Sequence, residues 1–104
     1  MKIKQLLFLI FLAGISLQSQ SQDKVDFLIL NKNYSEALEQ IEIQLNLNPS
    51  AALYFKQGIV YNSLQNYQQA LSSFSSALQL DSGNSQIITE MAENVNHNQR
   101  FIIA

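Results

Sequence analysis

The stretch from Ala51 to Asn84 constrains the fold more than any other part of the chain, because its apolar residues recur every three or four positions. This spacing is typical of amphipathic helices, and a polar break at Gln65 and Asn66 divides the stretch into two of them. We therefore expect two helices folded back on each other. The residues expected to face inward are Tyr54, Gly58, Tyr61 and Leu64, followed by Tyr67, Ala70, Leu71, Phe74, Ala77 and Leu78.

The flanking segments predict three further helices, at about 22–31, 34–47 and 85–96, so the expected fold is all-α with about five helices. Pro49 explains why the second helix stops near Leu47, since proline disfavours helical geometry at the residue before it. Ser50 is placed to cap the third helix, which we expect to run from about Ala51 to Leu64.

Two asparagines mark the starts of the second and fourth helices. Asn33 is followed three residues later by Glu36, and Asn66 by Gln69, which is the spacing of a capping box. The residues from Asp81 to Asn84 are typical of a turn. The fifth helix should then present Ile88, Met91, Ala92 and Val95 on one side, and the tail at 97–104, which is apolar from Phe101 onward, has no predicted structure.

An internal repeat appears when the sequence is shifted by 33 positions. Six of the 18 residues from 33 to 50 are then identical to their counterparts, where average residue usage would give about one or two. The repeated residues are Asn33, Tyr34, Ala37, Leu38, Leu45 and Leu47, which fall on Asn66, Tyr67, Ala70, Leu71, Leu78 and Leu80. Stacked hairpins can bury one continuous core where a lone hairpin cannot, which is the physical reason for such repeats.

The second repeat resembles the tetratricopeptide repeat (TPR) family at six positions: Tyr54, Gly58, Tyr61, Ala70, Phe74 and Ala77. The first repeat keeps Tyr34, Ala37 and Pro49 but departs from the family at Val25 and Ile41. The resemblance implies a TPR-like α-solenoid over 22–104, with repeat one at about 22–50, repeat two at 51–84, a closing helix at about 85–96 and a tail at 97–104.

TPR arrays usually bind extended peptides or partner helices in a groove lined by the first helix of each hairpin. The resemblance places Asp26, Ile29, Phe55, Ile59, Asn62, Thr89, Glu93 and Asn96 in that groove. Phe55 and Ile59 share a helix face and would form an apolar patch, unless neighbouring helices cover them. Asn62 would bond a peptide backbone or remain a solvated surface residue. Asp26 and Glu93 would repel a carboxylate ligand of the kind that chaperone-binding TPR domains clamp.

The first residues have the layout of a secretory signal peptide, from Met1 to about Ser21. Lys2 and Lys4 precede an apolar run from Leu6 to Ile15, and a polar tail with small residues follows. Because this run is about half the length needed to span a bilayer, we expect cleavage rather than a membrane anchor. The protein would then be periplasmic or secreted.

Removal of this segment would leave four basic residues against eight acidic ones, a net charge of −4. That balance argues against nucleic acid or a membrane surface as a partner. The chain has no cysteine, so it is compatible with an oxidising compartment but contains no disulfide.

The sequence offers little for catalysis or metal binding. His97 is the only histidine, and Glu36, Glu39 and Glu42 are typical of a solvated acidic helix face. The serines around Phe74 have no neighbouring base, and the four tyrosines lie at packing positions. We therefore expect no enzyme activity, metal or cofactor.

The resulting hypothesis is an exported adaptor or scaffold that binds a peptide or helix of a partner protein. One alternative is a structural homodimer that associates through the tail at Phe101–Ile103. Another is a membrane-tethered form that retains the segment from Leu6 to Ile15.

Overall fold

The structure is a computed structural model that describes the backbone of residues 24–103 and the side chains of residues 24–98. The predicted signal peptide at 1–21 lies outside the described residues. Within residues 24–103 the chain is helical and contains no strand, which confirms the all-α class. The five helices are α1 (24–30), α2 (Tyr34–Leu47), α3 (Ala51–Ser63), α4 (Tyr67–Leu80) and α5 (Ser85–Ile103).

Helix α2 has the predicted bounds and α3 ends one residue earlier than predicted. The predicted end of α5 near Asn96 is wrong, because the helix continues to Ile103 and includes most of the tail. No proline or glycine lies between Ser85 and Ile103 to stop it.

The predicted caps differ in outcome. Ser50 has extended backbone geometry, and its Oγ accepts a hydrogen bond from the Leu53 amide at 3.1 Å, as a cap of α3 should. The capping-box prediction is wrong at both asparagines: Asn33 and Asn66 precede α2 and α4, but their side chains make no capping bond. Their ψ angles of 68° and 69° differ from the 153° of Ser50.

The backbone explains why a capping box does not form. Lys32 and Gln65 have positive φ angles of 61° and 62°. The next amide in each case donates back to the preceding helix, from Asn33 to the Leu28 carbonyl at 2.9 Å and from Asn66 to the Tyr61 carbonyl at 2.8 Å. This is the hydrogen-bond pattern of a Schellman turn. Since the asparagine amide is already occupied, no side chain three residues later is needed to satisfy it.

Two buried clusters form the core, and α3 takes part in both. The first contains Val25 and Leu28 of α1, Ala37 and Ile41 of α2, and Val60 of α3. The second contains Ala70, Phe74 and Ala77 of α4 and Ile87 of α5, with half-buried residues of α3 packed against it. Successive helices from α2 to α5 pack against each other, so α3 joins the two halves.

Helices α3 and α4 approach closely at Gly58. A Cβ atom built on Gly58 would lie under 3.0 Å from three ring carbons of Phe74. The prediction that a small residue is needed between these helices is therefore confirmed at Gly58. Ala70, the other small residue expected at this contact, is fully buried.

The inward faces of α3 and α5 were predicted only in part. Leu64 was expected inside but is 43% exposed, while Leu53 and Val60 are buried. The predicted face of α5 is wrong: Ile88 and Val95 are 50% and 39% exposed, and Ala92 is also exposed. Ile87 and Asn94 point inward instead, with Met91 half-buried between them.

Hydrogen bonding accounts for the face that α5 turns toward the core. The Asn94 Nδ2 donates to Asn62 Oδ1 at 2.6 Å and to the Tyr67 backbone carbonyl at 3.0 Å. Asn94 is 1% exposed, so it can be buried only on the side where these acceptors lie. With Asn94 facing inward, the helical period brings Ile87 and Met91 to the core and turns Ile88 and Val95 outward.

Candidate interaction surface

Helix α3 makes side-chain contacts with α1 and with α5. Asn62 of α3 bonds to Asn94 of α5, and Phe55 and Ile87 line a common cleft; each pair is 32 positions apart. This equal offset at two points means that α3 and α5 run side by side in the same direction. On the other side of α3, Lys56 forms an ion pair of 2.9 Å with Asp26 of α1.

Helix α4 packs closely against α3. Ser73 is buried, and its Oγ donates to Gln57 Oε1 at 2.9 Å, next to the contact between Gly58 and Phe74. These two adjacent contacts hold α3 in register against α4. The side chains of α3 that point away from α4 are thereby held in place on the surface.

The two predicted groove residues of α1 differ in environment. Asp26 has a side chain that is 53% exposed and is held by Lys56. Ile29 is half-buried and packs against the cluster between α1 and α2. Sequence reasoning did not identify Lys56, which neutralises Asp26 at this end of the surface.

Phe55 and Ile59 are both half-buried, so neighbouring helices cover part of each side chain. The ring of Phe55 lies 5.7 Å from that of Phe74, centroid to centroid, at an angle of 49°. The part of Phe55 that α4 does not cover contributes to a cleft of about 200 Å³. The other residues lining this cleft are Ala51, Ala52, Asp81, Asn84, Gln86 and Ile87.

Asn62 and Glu93 lie together at a second, larger cleft of about 340 Å³, at the other end of the contact between α3 and α5. Its lining residues are Asn62, Ser63, Gln65, Tyr67, Glu90, Glu93 and His97. Asn62 is half-buried, and its Oδ1 is already occupied by Asn94. We call this the α3–α5 cleft.

Sequence reasoning missed five members of the α3–α5 cleft: Ser63, Gln65, Tyr67, Glu90 and His97. A signal was available, because Glu90, Glu93 and His97 are three and four positions apart and therefore share a helix face. The His97 ring lies nearly parallel to that of Tyr67, at an angle of 11° and a centroid distance of 6.2 Å. The remaining predicted residues of α5, Thr89 and Asn96, are exposed.

The α3–α5 cleft is acidic. Glu90 is half-buried and Glu93 is exposed. Among the described side chains, no lysine or arginine forms an ion pair with either carboxylate. The sequence from Gln57 to Gln99 contains no lysine or arginine at all. The field that the described side chains produce at this cleft therefore favours positive charge.

Residues 24–103 contain neither a metal site nor a membrane span. No group of three histidine, cysteine, aspartate or glutamate side chains within this part of the chain is placed to hold a metal ion. Glu36, Glu39 and Glu42 are exposed along α2. From residue 24 to 103, no helix combines the length and the hydrophobicity required to cross a membrane.

Comparison with known proteins gives no family for this chain. No protein-family model matches the sequence, and no curated protein matches it significantly.

Proposed function

We propose that this chain is a protein–protein interaction module built from stacked helical hairpins similar to TPR arrays. In this proposal the hairpins form a short α-solenoid of about two repeats and a closing helix. The surface formed by α1, α3 and α5 binds an extended peptide or a helix of a partner protein. The chain acts as an adaptor or scaffold, without enzymatic activity.

The observation that carries this proposal is the register between α3 and α5. Asn62 bonds to Asn94, and Phe55 and Ile87 line one cleft; each pair has an offset of 32 positions, which aligns the helices side by side. Parallel helices at a fixed offset present equivalent residues in a row, which suits a ligand that extends across them. The two clefts between α3 and α5 lie along that row.

Substitutions on the exposed surface of α5 test the proposal. Thr89→Arg with Asn96→Arg would place two long side chains at the edge of the binding surface. The control is Gln68→Arg with Gln79→Arg, which makes the same chemical change on exposed positions of α4. The immobilised protein, in the form in which cells produce it, is used to capture proteins from envelope extracts.

We expect a defined partner to be recovered with the parent protein and the α4 control, and to be lost with the α5 variant. Circular dichroism would establish that all three are folded. Equal recovery with both variants would show that the partner binds elsewhere and would reject the proposed surface. Repeated failure to recover a specific partner with folded protein would argue against the adaptor role itself.

A second candidate function is self-association, favoured by the apolar residues that α5 leaves exposed. Ile88 and Val95 point away from the core on the same side of α5. In a homodimer a second copy would cover them. The sedimentation coefficient and melting temperature should then rise with protein concentration. Ile88→Glu should abolish this dependence and Thr89→Glu should not, whereas a strict monomer at high concentration would reject self-association.

Export is the proposed route to the site of action. It depends on the amino-terminal segment, which precedes the described residues. The intact mass of the protein recovered from cells distinguishes a chain cleaved near Ser21 from a membrane-tethered chain that retains Leu6 to Ile15. A periplasmic or secreted chain of the shorter mass is expected.

A further inference from the structure

We propose that the α3–α5 cleft receives an arginine side chain of the bound peptide. This inference rests on the proposed function, because it names the chemistry of the ligand that the surface selects. In this proposal Glu90 and Glu93 bind the guanidinium group, which stacks against Tyr67.

The carboxylates provide the first reason. Glu90 and Glu93 lie three positions apart on α5 and line the same cleft, so both can accept hydrogen bonds from one group placed between α3 and α5. Neither forms an ion pair with a described residue. Glu90 is half-buried, so a charge bound there is less screened by solvent than at an open surface. A guanidinium offers five donors in a planar fork that matches carboxylates.

The aromatic side chains provide the second reason. The rings of Tyr67 and His97 are stacked nearly parallel, at a centroid distance of 6.2 Å, and both residues line the cleft together with the two glutamates. A guanidinium can stack on the face of an aromatic ring while its edge donates to carboxylates. An ammonium group is a strongly hydrated point charge and gains less from an aromatic ring, so arginine is favoured over lysine.

The third reason is the position of Asn62. Its Oδ1 accepts from Asn94, which leaves the Nδ2 group at the cleft to donate to another acceptor. The carbonyl oxygens of a peptide backbone are suitable acceptors. The cleft of about 340 Å³ thus combines carboxylates for a cationic side chain with an amide donor for the peptide backbone that carries this side chain.

The contacts of α5 with α3 and α4 also explain how the residues of the cleft are held in place. Asn94 joins Asn62 to the backbone of Tyr67, so one buried side chain positions residues of α3 and α4 on two sides of the cleft. The glutamates follow on the same helix as Asn94. The recognition groups are therefore positioned by the fold and need little reorganisation on binding.

A peptide titration tests the inference directly. The probe is acetyl-Gly-Ser-Arg-Ser-Gly-amide, added to the ¹⁵N-labelled protein in the form in which cells produce it. Matched peptides carry citrulline, which keeps the shape but lacks the charge, or lysine. We expect saturable amide shifts at Asn62, Tyr67 and Glu93, binding that is at least about tenfold weaker for citrulline, and about threefold weaker binding for lysine.

Two charge variants complete the test. Glu90→Gln with Glu93→Gln should weaken binding of the arginine peptide by about tenfold or more. Glu36→Gln with Glu39→Gln removes the same net charge from exposed positions of α2 and should leave binding unchanged. Circular dichroism and the spectrum of the free protein establish that each variant is folded.

Several results would overturn the inference. These are an arginine peptide that does not bind saturably, shifts that map outside the cleft, equal binding of citrulline, equal or tighter binding of lysine, and equal loss in the α2 control. The proposed function fails separately. A captured partner that is lost with the Thr89→Arg and Asn96→Arg variant but kept with Glu90→Gln and Glu93→Gln would retain the interaction surface and reject the arginine site.

Discussion

At the scale of single residues, the fold depends on a few positions where the size or the polarity of one side chain decides how two helices pack. Gly58 has no side chain, and the ring of Phe74 occupies the space where a Cβ atom would lie. Asn94 is a polar residue in a helix contact, and its Nδ2 donates hydrogen bonds to two other helices. Each position therefore selects one arrangement of its helix.

Gly58→Ala should destabilise the protein by about 1–3 kcal/mol, because the added methyl group overlaps the Phe74 ring. This range is the net change, because the higher helix propensity of alanine, about 1 kcal/mol, offsets only part of the cost of the overlap. Urea denaturation measures the change in the free energy of unfolding. Gly83→Ala is the control, since a Cβ there meets nothing within 4 Å. Equal stability of the two variants would contradict the close approach of α3 and α4.

Asn94→Ala should cost about 1–3 kcal/mol, because it leaves the Asn62 and Tyr67 oxygens without their donor. Asn96→Ala, on the exposed side of the same helix, should change stability by less than about 0.5 kcal/mol. Thermal unfolding of both variants distinguishes these outcomes. If the two variants melted together, the orientation of α5 described above would be wrong.

At the scale of elements, the boundaries of the helices come from backbone geometry as much as from residue type. Ser50 and Asn33 are both suitable capping residues, yet only Ser50 bonds to the first turn of its helix. The difference lies in the backbone geometry of the two residues. Ser50 is extended, with φ −145° and ψ 153°, and its Oγ reaches the Leu53 amide, whereas Asn33 follows Lys32 in a left-handed conformation and has a ψ of 68°.

Ser50→Ala should therefore cost about 1 kcal/mol, the usual value for a lost cap. Asn33→Ala should cost less than about 0.5 kcal/mol, because no capping bond is lost. The sequence alone predicts similar costs for the two changes. Chemical denaturation of both variants decides between these expectations, and a cost at Asn33 that matched the one at Ser50 would support the capping box.

At the scale of the whole molecule, stability is distributed along the chain through contacts between successive helices. The cluster around Ile41 and the cluster around Phe74 have no buried residue in common, but α3 contributes to both sides. In such an arrangement, a local change should affect its own neighbours first.

Val60→Ala removes two methyl groups from a fully buried site and should cost about 2 kcal/mol. Since Val60 packs with α1 and α2, amide hydrogen exchange should accelerate more in those helices than in α4 and α5. Ile87→Val, in the other cluster, should produce the opposite pattern. Uniform acceleration in both variants would show instead that the molecule opens as a single unit.

Much of the fold was accessible from sequence because helical periodicity is a local property. The bounds of α2, the cap at Ser50 and the buried residues Ala70, Phe74 and Ala77 all followed from spacing and from residue type. The groove candidates came from a family resemblance, and the structure places them at separate points of the surface. Asp26 lies on α1, and Phe55 and Ile59 pack against α4. Asn62 and Glu93 line the larger cleft.

By itself, the sequence determined that this chain forms helices, where most of them begin and end, and which small residue permits two of them to touch. Only the tertiary structure decided how α5 is rotated, and thereby which residues form the α3–α5 cleft. The physical reason is that periodicity favours the more apolar face of α5, through Ile88 and Val95, whereas the face turned inward contains Ile87 and the polar Asn94. Choosing between them depends on hydrogen-bond acceptors from α3 and the start of α4, which periodicity along a single helix cannot reveal.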